Sequence, residues 1–344
     1  MLTYVNKYQL MIKEINKSNI ELSLLTLKQA SELLGCHPNT LRQWDKNGLL
    51  QAVRFGARKD RRYRRDDILK LTGRTSYVEN EKEVAKVSEI RKEYFEEYAS
   101  LLVKWGRLNE NSVFVDVPCG TGEMTRTIIQ GGFGKKFYLI DINSEMVKVA
   151  QENISAISQN GVFKIGDAGD VSKLVPGKVD AIFCLNGFHI YIDRKQEFLK
   201  GCYKILKPGG ILIFDVSTKG IHDKLSKNFL STERKELQQL AKKVGAGFKF
   251  PDWPDENLLE QYRTLSVKNG FTVNETISID KWMSIDEAIN STLKIPGRLR
   301  PWLPGISDEQ RMAIYKQANR IAIKKTGIKM IKHNRVFFIA KKEV

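Results

Sequence analysis

The sequence predicts a two-part chain: a small helix-turn-helix module with a two-stranded wing, then a larger α/β domain on a largely parallel sheet. Between residues 24 and 71, two short amphipathic helices flank a tight reversal and a basic hairpin follows. From Ser112 onward, short apolar runs alternate with helical stretches, the pattern of a wound α/β sheet. A length of 344 residues suits one small and one moderate domain.

Residues 1–22 carry Tyr4, Tyr8, Met11, Ile12 and Ile15 at helical spacing and read as an N-terminal helical arm. The module occupies 23–75. Thr26 followed by Gln29 forms a capping box, since hydroxyl and amide each satisfy an N–H that a helix start leaves open. Leu27, Ala30, Leu33 and Leu34 then share a face, and Gly35 supplies the reversal. Pro38 opens a second helix with Leu41 and Trp44 on its buried side. Ala52-Val-Arg54 and Arg61-Arg-Tyr63 flank the loop Phe55-Gly-Ala-Arg-Lys-Asp60 as strands of the wing, and Asp66-Asp67 start a further helix through Leu71. Seven Lys/Arg and one Asp stand between Arg54 and Arg65, a density suited to neutralising phosphates. In 76–110, Val84, Val87, Ile90, Tyr94, Tyr98, Leu101 and Leu102 line one side of a linker helix that doubles as the opening helix of the next domain.

The α/β domain spans 111–344. Its first strand is Val113-Phe-Val-Asp-Val117, its loop Pro118-Cys-Gly-Thr-Gly122, and its second strand Phe137-Tyr-Leu-Ile-Asp141. An acid about 20 residues after a glycine loop falls where a ribose diol would lie. A dinucleotide fingerprint needs a third glycine and bare N–H groups facing a pyrophosphate. Here Asp116 precedes the loop and the third glycine is missing, which suits a cationic ligand such as S-adenosylmethionine (SAM). Val179-Asp-Ala-Ile-Phe-Cys-Leu-Asn-Gly187 reads as the fourth strand, Leu206-Lys-Pro-Gly-Gly210 as a turn into the fifth, and Phe271–Ser278 and Asn334–Ala340 as the last two. Lid insertions are expected at 218–256 and 280–333, with Phe248, Phe250, Trp253, Trp282 and Trp302 either walling a substrate pocket or filling the lid's own core.

Composition narrows the class. Hydrophobic residues make up 42% and charged residues 28%, ordinary for a soluble globular chain. No apolar run approaches the ~18 residues of a membrane span, and the start lacks the apolar stretch of a signal peptide, so a cytoplasmic location is expected. Cys36, Cys119, Cys184 and Cys202 form no Cys-x-x-Cys pair and are expected as free thiols, with no metal site. The net charge of +17 divides into +7 over residues 1–80, +1 over 81–310 and +9 over 311–344. Charge at both ends suggests polyanion contact, although a solvated surface is the plainer reading of the C-terminal run.

Leu25-Thr-Leu-Lys-Gln-Ala-Ser-Glu-Leu-Leu-Gly35, Pro38-Asn-Thr-Leu-Arg-Gln-Trp44, Asn47-Gly-Leu49 and Asp60-Arg-Arg-Tyr-Arg64 together resemble the MerR and excisionase-like winged-helix family. The resemblance covers about 50 residues. It implies double-stranded DNA as a partner, with Asn39, Thr40, Arg42 and Gln43 near base edges and Arg58, Arg61, Arg62 and Arg64 on phosphates. By the same analogy the chain is expected to dimerise.

The run from Asp116 to Gly122 resembles the first motif of class I SAM-dependent methyltransferases, with Pro118 where a glycine often falls. The later motifs follow in order: Asp141, Ile142, Asn143 and Met146, then Gly166-Asp167-Ala168, then Leu185 after the fourth strand. The resemblance implies a Rossmann-like fold with SAM held by Asp116, Pro118, Cys119, Gly120, Gly122, Asp141, Ile142, Met146, Asp167, Ala168 and Leu185. His189 is the candidate general base, with Tyr191 and Asp193 weaker ones. The fourth strand lacks the proline motif of DNA amino-methylating enzymes, and the local text is more similar to small-molecule methyltransferases of the ubiquinone/menaquinone and trans-aconitate type. Three readings stay open: a methyltransferase acting on a small molecule, with a DNA-binding domain that couples it to transcription, a transcription regulator that uses the methyltransferase fold to sense SAM or a metabolite, and a nucleic-acid methyltransferase.

Overall fold

The computed structural model describes residues 24–34, 36–64, 67–68, 86, 95–189, 192, 194–218, 223–249 and 256–343. The expectations for the arm at 1–22, for much of 76–94, and for Tyr191, Asp193, Phe250 and Trp253 lie outside them. The chain divides into two compact units, Met1–Ser76 and Tyr77–Val344.

In the first unit, β1 (Leu24–Thr26) runs into α1 (Leu27–Leu34), and α2 (Pro38–Lys46) leads to β2 (Val53–Phe55) and β3 (Asp60–Arg64). The capping box closes at both ends: Gln29 N donates to Thr26 Oγ1 at 3.1 Å and Thr26 N to Gln29 Oε1 at 2.9 Å. His37 caps α2, its Nδ1 accepting from Asn39 N at 3.2 Å. The wing is a three-stranded sheet in the order β1-β3-β2, because the short β1 pairs Leu25 with Tyr63. Leu25, Ala30, Leu41, Leu50, Tyr63 and Ile68 form the core. The fully buried Tyr63 donates its hydroxyl to the Leu41 carbonyl at 3.1 Å, the partner a buried phenol needs.

The second unit begins, among described residues, with α3 (residues 95–105). Its sheet has seven strands: β4 (Val113–Asp116), β5 (Lys136–Asp141), β6 (Gly161–Ile165), β7 (Val179–Cys184), β8 (Leu206–Ser217), β9 (Phe271–Ser284) and β10 (Met330–Lys342). Their order is β6-β5-β4-β7-β8-β10-β9. The first five are parallel, and β10 lies antiparallel between β8 and β9. Alternating side chains feed two cores. Val115, Ile140, Ile182, Phe214 and Phe338 face one side; Phe114, Leu139, Phe183, Ile213 and Phe337 face the other, with Tyr98 and Leu102 of α3. After β6 the chain returns to the far side of β4, so the strand order reverses between β4 and β7. Ligands of open α/β sheets bind at the carboxyl ends of the strands there.

Two boundaries differ most from expectation. The stretch Leu206–Gly210 is already strand, with Leu206 paired to Val179 and Gly209 at positive φ before the register shifts. The second insertion is shorter than 280–333, because β9 runs to Ser284 and β10 starts at Met330. Asp280, Lys281 and Trp282 are exposed in succession, so no apolar alternation announced that part of the ladder. Helices α4 (Glu123–Gln130) and α5 (Ser144–Ser155) follow β4 and β5; α6 (Val171–Leu174), α7 (Lys195–Ile205) and α9 (Glu256–Lys268) serve the later strands. The lid holds α8 (Lys224–Lys243), α10 (Ile285–Leu293) and α11 (Asp308–Thr326). Phe248 and Trp302 pack into the lid's own core with Leu237, Leu299, Leu303 and Tyr315, while Trp282 is 54% exposed. These three aromatics therefore do not gather as a pocket wall. Among the described residues no helix is long and apolar enough to cross a membrane.

Candidate functional site

Strand β4 ends on Asp116, which is buried and accepts from Thr125 Oγ1 at 2.8 Å. The chain then turns through Pro118–Gly122 into α4. Gly120 and Gly122 sit at φ +53° and +77°, the left-handed region that favours glycine. A Cβ on Gly122 would stand 3.1 Å from Leu139 and 3.2 Å from Ala150, so the turn also packs closely against α5.

Asp141 ends the neighbouring β5. Its Oδ2 accepts from Gly120 N and its Oδ1 from Asn143 N, both at 2.9 Å. A carboxylate oxygen accepts more than one hydrogen bond, so the group can brace the loop and still receive hydroxyls. Asn143 caps α5, accepting from Glu145 N at 2.9 Å and Met146 N at 3.3 Å, which places Met146 under the loop and leaves Ile142 half-buried beside it. Gly166 N donates to the Asp141 carbonyl at 2.9 Å, bringing the Asp167-Ala168 turn to the same edge. Asp167 Oδ1 accepts from Gly169 N at 2.7 Å, and Arg194 lies 3.8 Å from that carboxylate.

On the other side of β4, Leu185 is buried, and a Cβ on Gly187 would overlap the Pro118 ring. The loops after β4 and β7 therefore touch. His189 turns toward α9, its Nδ1 2.7 Å from the Tyr262 hydroxyl. Burial pushes the Tyr262 phenol up to about 12, so it is a neutral hydroxyl at physiological pH. Lys195 Nζ donates to the Ile192 carbonyl at 2.5 Å, which holds the end of the same loop.

Sequence reasoning passed over four residues. Thr121 sits inside the glycine loop, and its Oγ1 is the one buried side-chain oxygen or nitrogen without a hydrogen-bond partner among the described residues. Tyr262, Asp215 and Arg335 reach the site from far along the chain, and no local pattern marks them. Burial raises the thiols of Cys184 and Cys202 far above their ordinary value; all four cysteines are free.

In the first unit, α2 presents Asn39, Arg42 and Gln43 outward, with Thr40 half-buried. Arg42 Nη1 donates to Asn39 Oδ1 at 2.5 Å. Arg58 and Arg64 are exposed. Arg61 Nε donates to Asp45 Oδ2 at 2.7 Å, and Arg54 donates to the same oxygen at 2.8 Å. Arg62 lies half-buried, 5.9 Å over the Phe55 ring.

Residues 114–210 match the methyltransferase-domain family, and residues 25–92 match the MerR helix-turn-helix family of regulatory proteins. The two matches fall largely on different units of the chain, the methyltransferase-domain match wholly within the second. YqeM of Bacillus subtilis, assigned as a methyltransferase, is 33% identical over 119 residues, 33% of this chain and 46% of that protein. The malonyl-[acyl-carrier protein] O-methyltransferase of Halalkalibacterium halodurans is 26% identical over 110 residues, 31% of this chain and 39% of that one. The chain thus spans less than half the length of either relative. A crystal structure of a protein assigned as a methyltransferase from Bacillus halodurans superposes with a TM-score of 0.49 at 15% identity, over 72% of this chain and 99% of the other.

The cofactor that goes with a methyltransferase domain of this class is SAM. The residues fit it. The loop edge offers carboxylates at Asp116, Asp141 and Asp167 and an unsatisfied hydroxyl at Thr121, a set suited to an ammonium, a ribose diol and an adenine amine rather than to a pyrophosphate.

Proposed function

We propose that this chain transfers a methyl group from SAM to a small molecule, and that residues 23–75 bind double-stranded DNA. The observation that supports the first part is Asp141, whose carboxylate ties Gly120 to Asn143 at the tip of β5, the place in a βαβ unit of this kind where an acid would receive a ribose diol. When bound, the cofactor supplies a methyl carbon already activated by its sulfonium. The chain's own work is to hold the cofactor and acceptor loops in register and to exclude water. The packing of Gly187 on Pro118 serves that register. His189, steadied by Tyr262, serves as a base only if the acceptor has a proton to lose.

The exposed face of α2 supports the DNA reading, with Asn39, Arg42 and Gln43 turned to solvent. A homodimer is part of the same proposal and is read by sedimentation.

The test is a label partition. Protein is incubated with methyl-labelled SAM, duplex DNA, RNA and a small-molecule extract, and the products are separated by size. Label in the small-molecule fraction supports the proposal. Label on nucleic acid overturns it in favour of a nucleic-acid methyltransferase. SAM binding without transfer favours a SAM-sensing regulator, the second reading that the MerR-type module supports.

A further inference from the structure

The loop after β7 is held by a cation from the last strand. Arg335 Nη1 donates to Asn186 Oδ1 at 2.7 Å and to Asp215 Oδ2. Asp215 Oδ1 accepts the Asn186 backbone amide at 2.6 Å, so three contacts close a triangle. The register allows it, because β10 sets Phe337 opposite Asp215 and Arg335 opposite Ser217, which puts Arg335 diagonally across from the carboxylate. The Asp215 side chain is fully buried and that of Arg335 only 16% exposed.

A buried ion pair is poor value as plain stabilisation, since apolar residues of similar volume usually serve a core as well or better. Position is the better account. Asn186 stands at φ +54°, the left-handed region that asparagine enters more readily than most residues with a side chain, and both its backbone amide and its side chain are tied down there. The next residue, Gly187, is the one that abuts Pro118 in the cofactor loop. A Cβ on Gly187 would also stand 3.3 Å from the buried Cys184 sulfur, so the turn has no room to shift away from Pro118.

We propose that Arg335 is a positioning residue: through Asp215 and Asn186 it fixes residues 185–189 against Pro118–Gly122, and so sets the alignment between bound cofactor and acceptor. This rests on the methyl-transfer reading above.

The experiment uses the full chain with SAM as the ligand and pairs calorimetry with hydrogen exchange over residues 184–188. In Arg335→Met, exchange in that segment should quicken about tenfold and SAM affinity should fall about tenfold. Arg335→Lys, which keeps the charge and a donor, should recover most of both. Asn186→Ala, which removes only the side-chain acceptor, should lie between. Parent-like exchange in Arg335→Met overturns the proposal, and so does faster exchange with unchanged SAM affinity. Should Arg335→Met fail to fold, the lysine and Asn186 variants decide alone. Asp141→Ala separates the two readings: it should lose SAM binding while 184–188 stays protected, and SAM binding retained in that variant would sink the ribose contact at Asp141 without touching the triangle.

Discussion

Asp141 accepts two backbone amides with one carboxylate, one from the glycine loop and one from the start of α5. Hydrogen bonds to a charged group contribute about 1.5–3 kcal/mol each, so Asp141→Asn should weaken SAM binding roughly 10- to 100-fold by calorimetry. Unchanged affinity would remove the ribose contact. Gly187 makes a steric case: Gly187→Ala places a methyl into the Pro118 ring, and overpacking of that kind costs about 1–3 kcal/mol. Chemical denaturation should show that loss, with SAM affinity falling too. Tyr262 supplies a pH signature. Its phenol is raised from 10.0 to about 12 by burial, so the unfolded chain releases a proton over a range where the folded chain keeps it. Its contribution is full below pH 10 and is lost as the pH rises toward 12; Tyr262→Phe should lose less stability across that window. Asp141 was legible because it ends an apolar strand at a fixed distance from a glycine loop. Arg335 and Tyr262 were not, since their partners lie 149 and 73 residues away.

At the scale of elements, legibility followed how local the determinant is. The α1 capping box could be read because both partners lie within one turn and the exchange of bonds needs nothing else. The three-residue β1 was missed because too few residues show a period, and its place comes only from pairing with β3. The wing offers a test of such long-range ties. Asp45 receives the Ala52 amide at 2.9 Å and the guanidinium groups of Arg54 and Arg61, joining α2 to both wing strands. Burial pushes its carboxyl up, but the Ala52 amide and the two arginines outweigh that and hold it below the usual 3.8. The stabilisation is therefore full above that value and is lost as the pH falls below it. Asp45→Ala should cost about 1 kcal/mol, given that Arg54 and Arg61 are 44% and 36% exposed. Hydrogen exchange of β2 and β3 should quicken at neutral pH, and the difference from the parent should vanish in acid.

Over the whole molecule, a net +17 says little until each cation's partner is known. Of the run after Arg311 that appeared so basic, Arg311, Lys325, Lys332, Arg335 and Lys341 lie in ion pairs with Asp308, Glu236, Asp280, Asp215 and Glu343. Much of that charge is matched by acids that folding brings to it, which favours a structural and solvated role there. The wing is different, because Arg64 stands exposed and Arg58 is 89% exposed with only a loose 3.9 Å pair to Asp60, while Arg61 is held by Asp45 at 2.7 Å. Phosphate binding should therefore depend unequally on residues that look alike in sequence. Each phosphate contact contributes about 0.9 to the slope of log affinity against log salt. Replacing Arg58 or Arg64 by Ala should lower the slope for duplex DNA by about that amount and leave SAM affinity unchanged. Arg61→Ala should instead loosen the wing, weakening DNA binding with little change of slope and with faster exchange in β3. Equal slopes for all three variants would show that ion pairing with Asp45 does not withhold Arg61 from the backbone, and unchanged slopes throughout would take the wing out of the DNA interface.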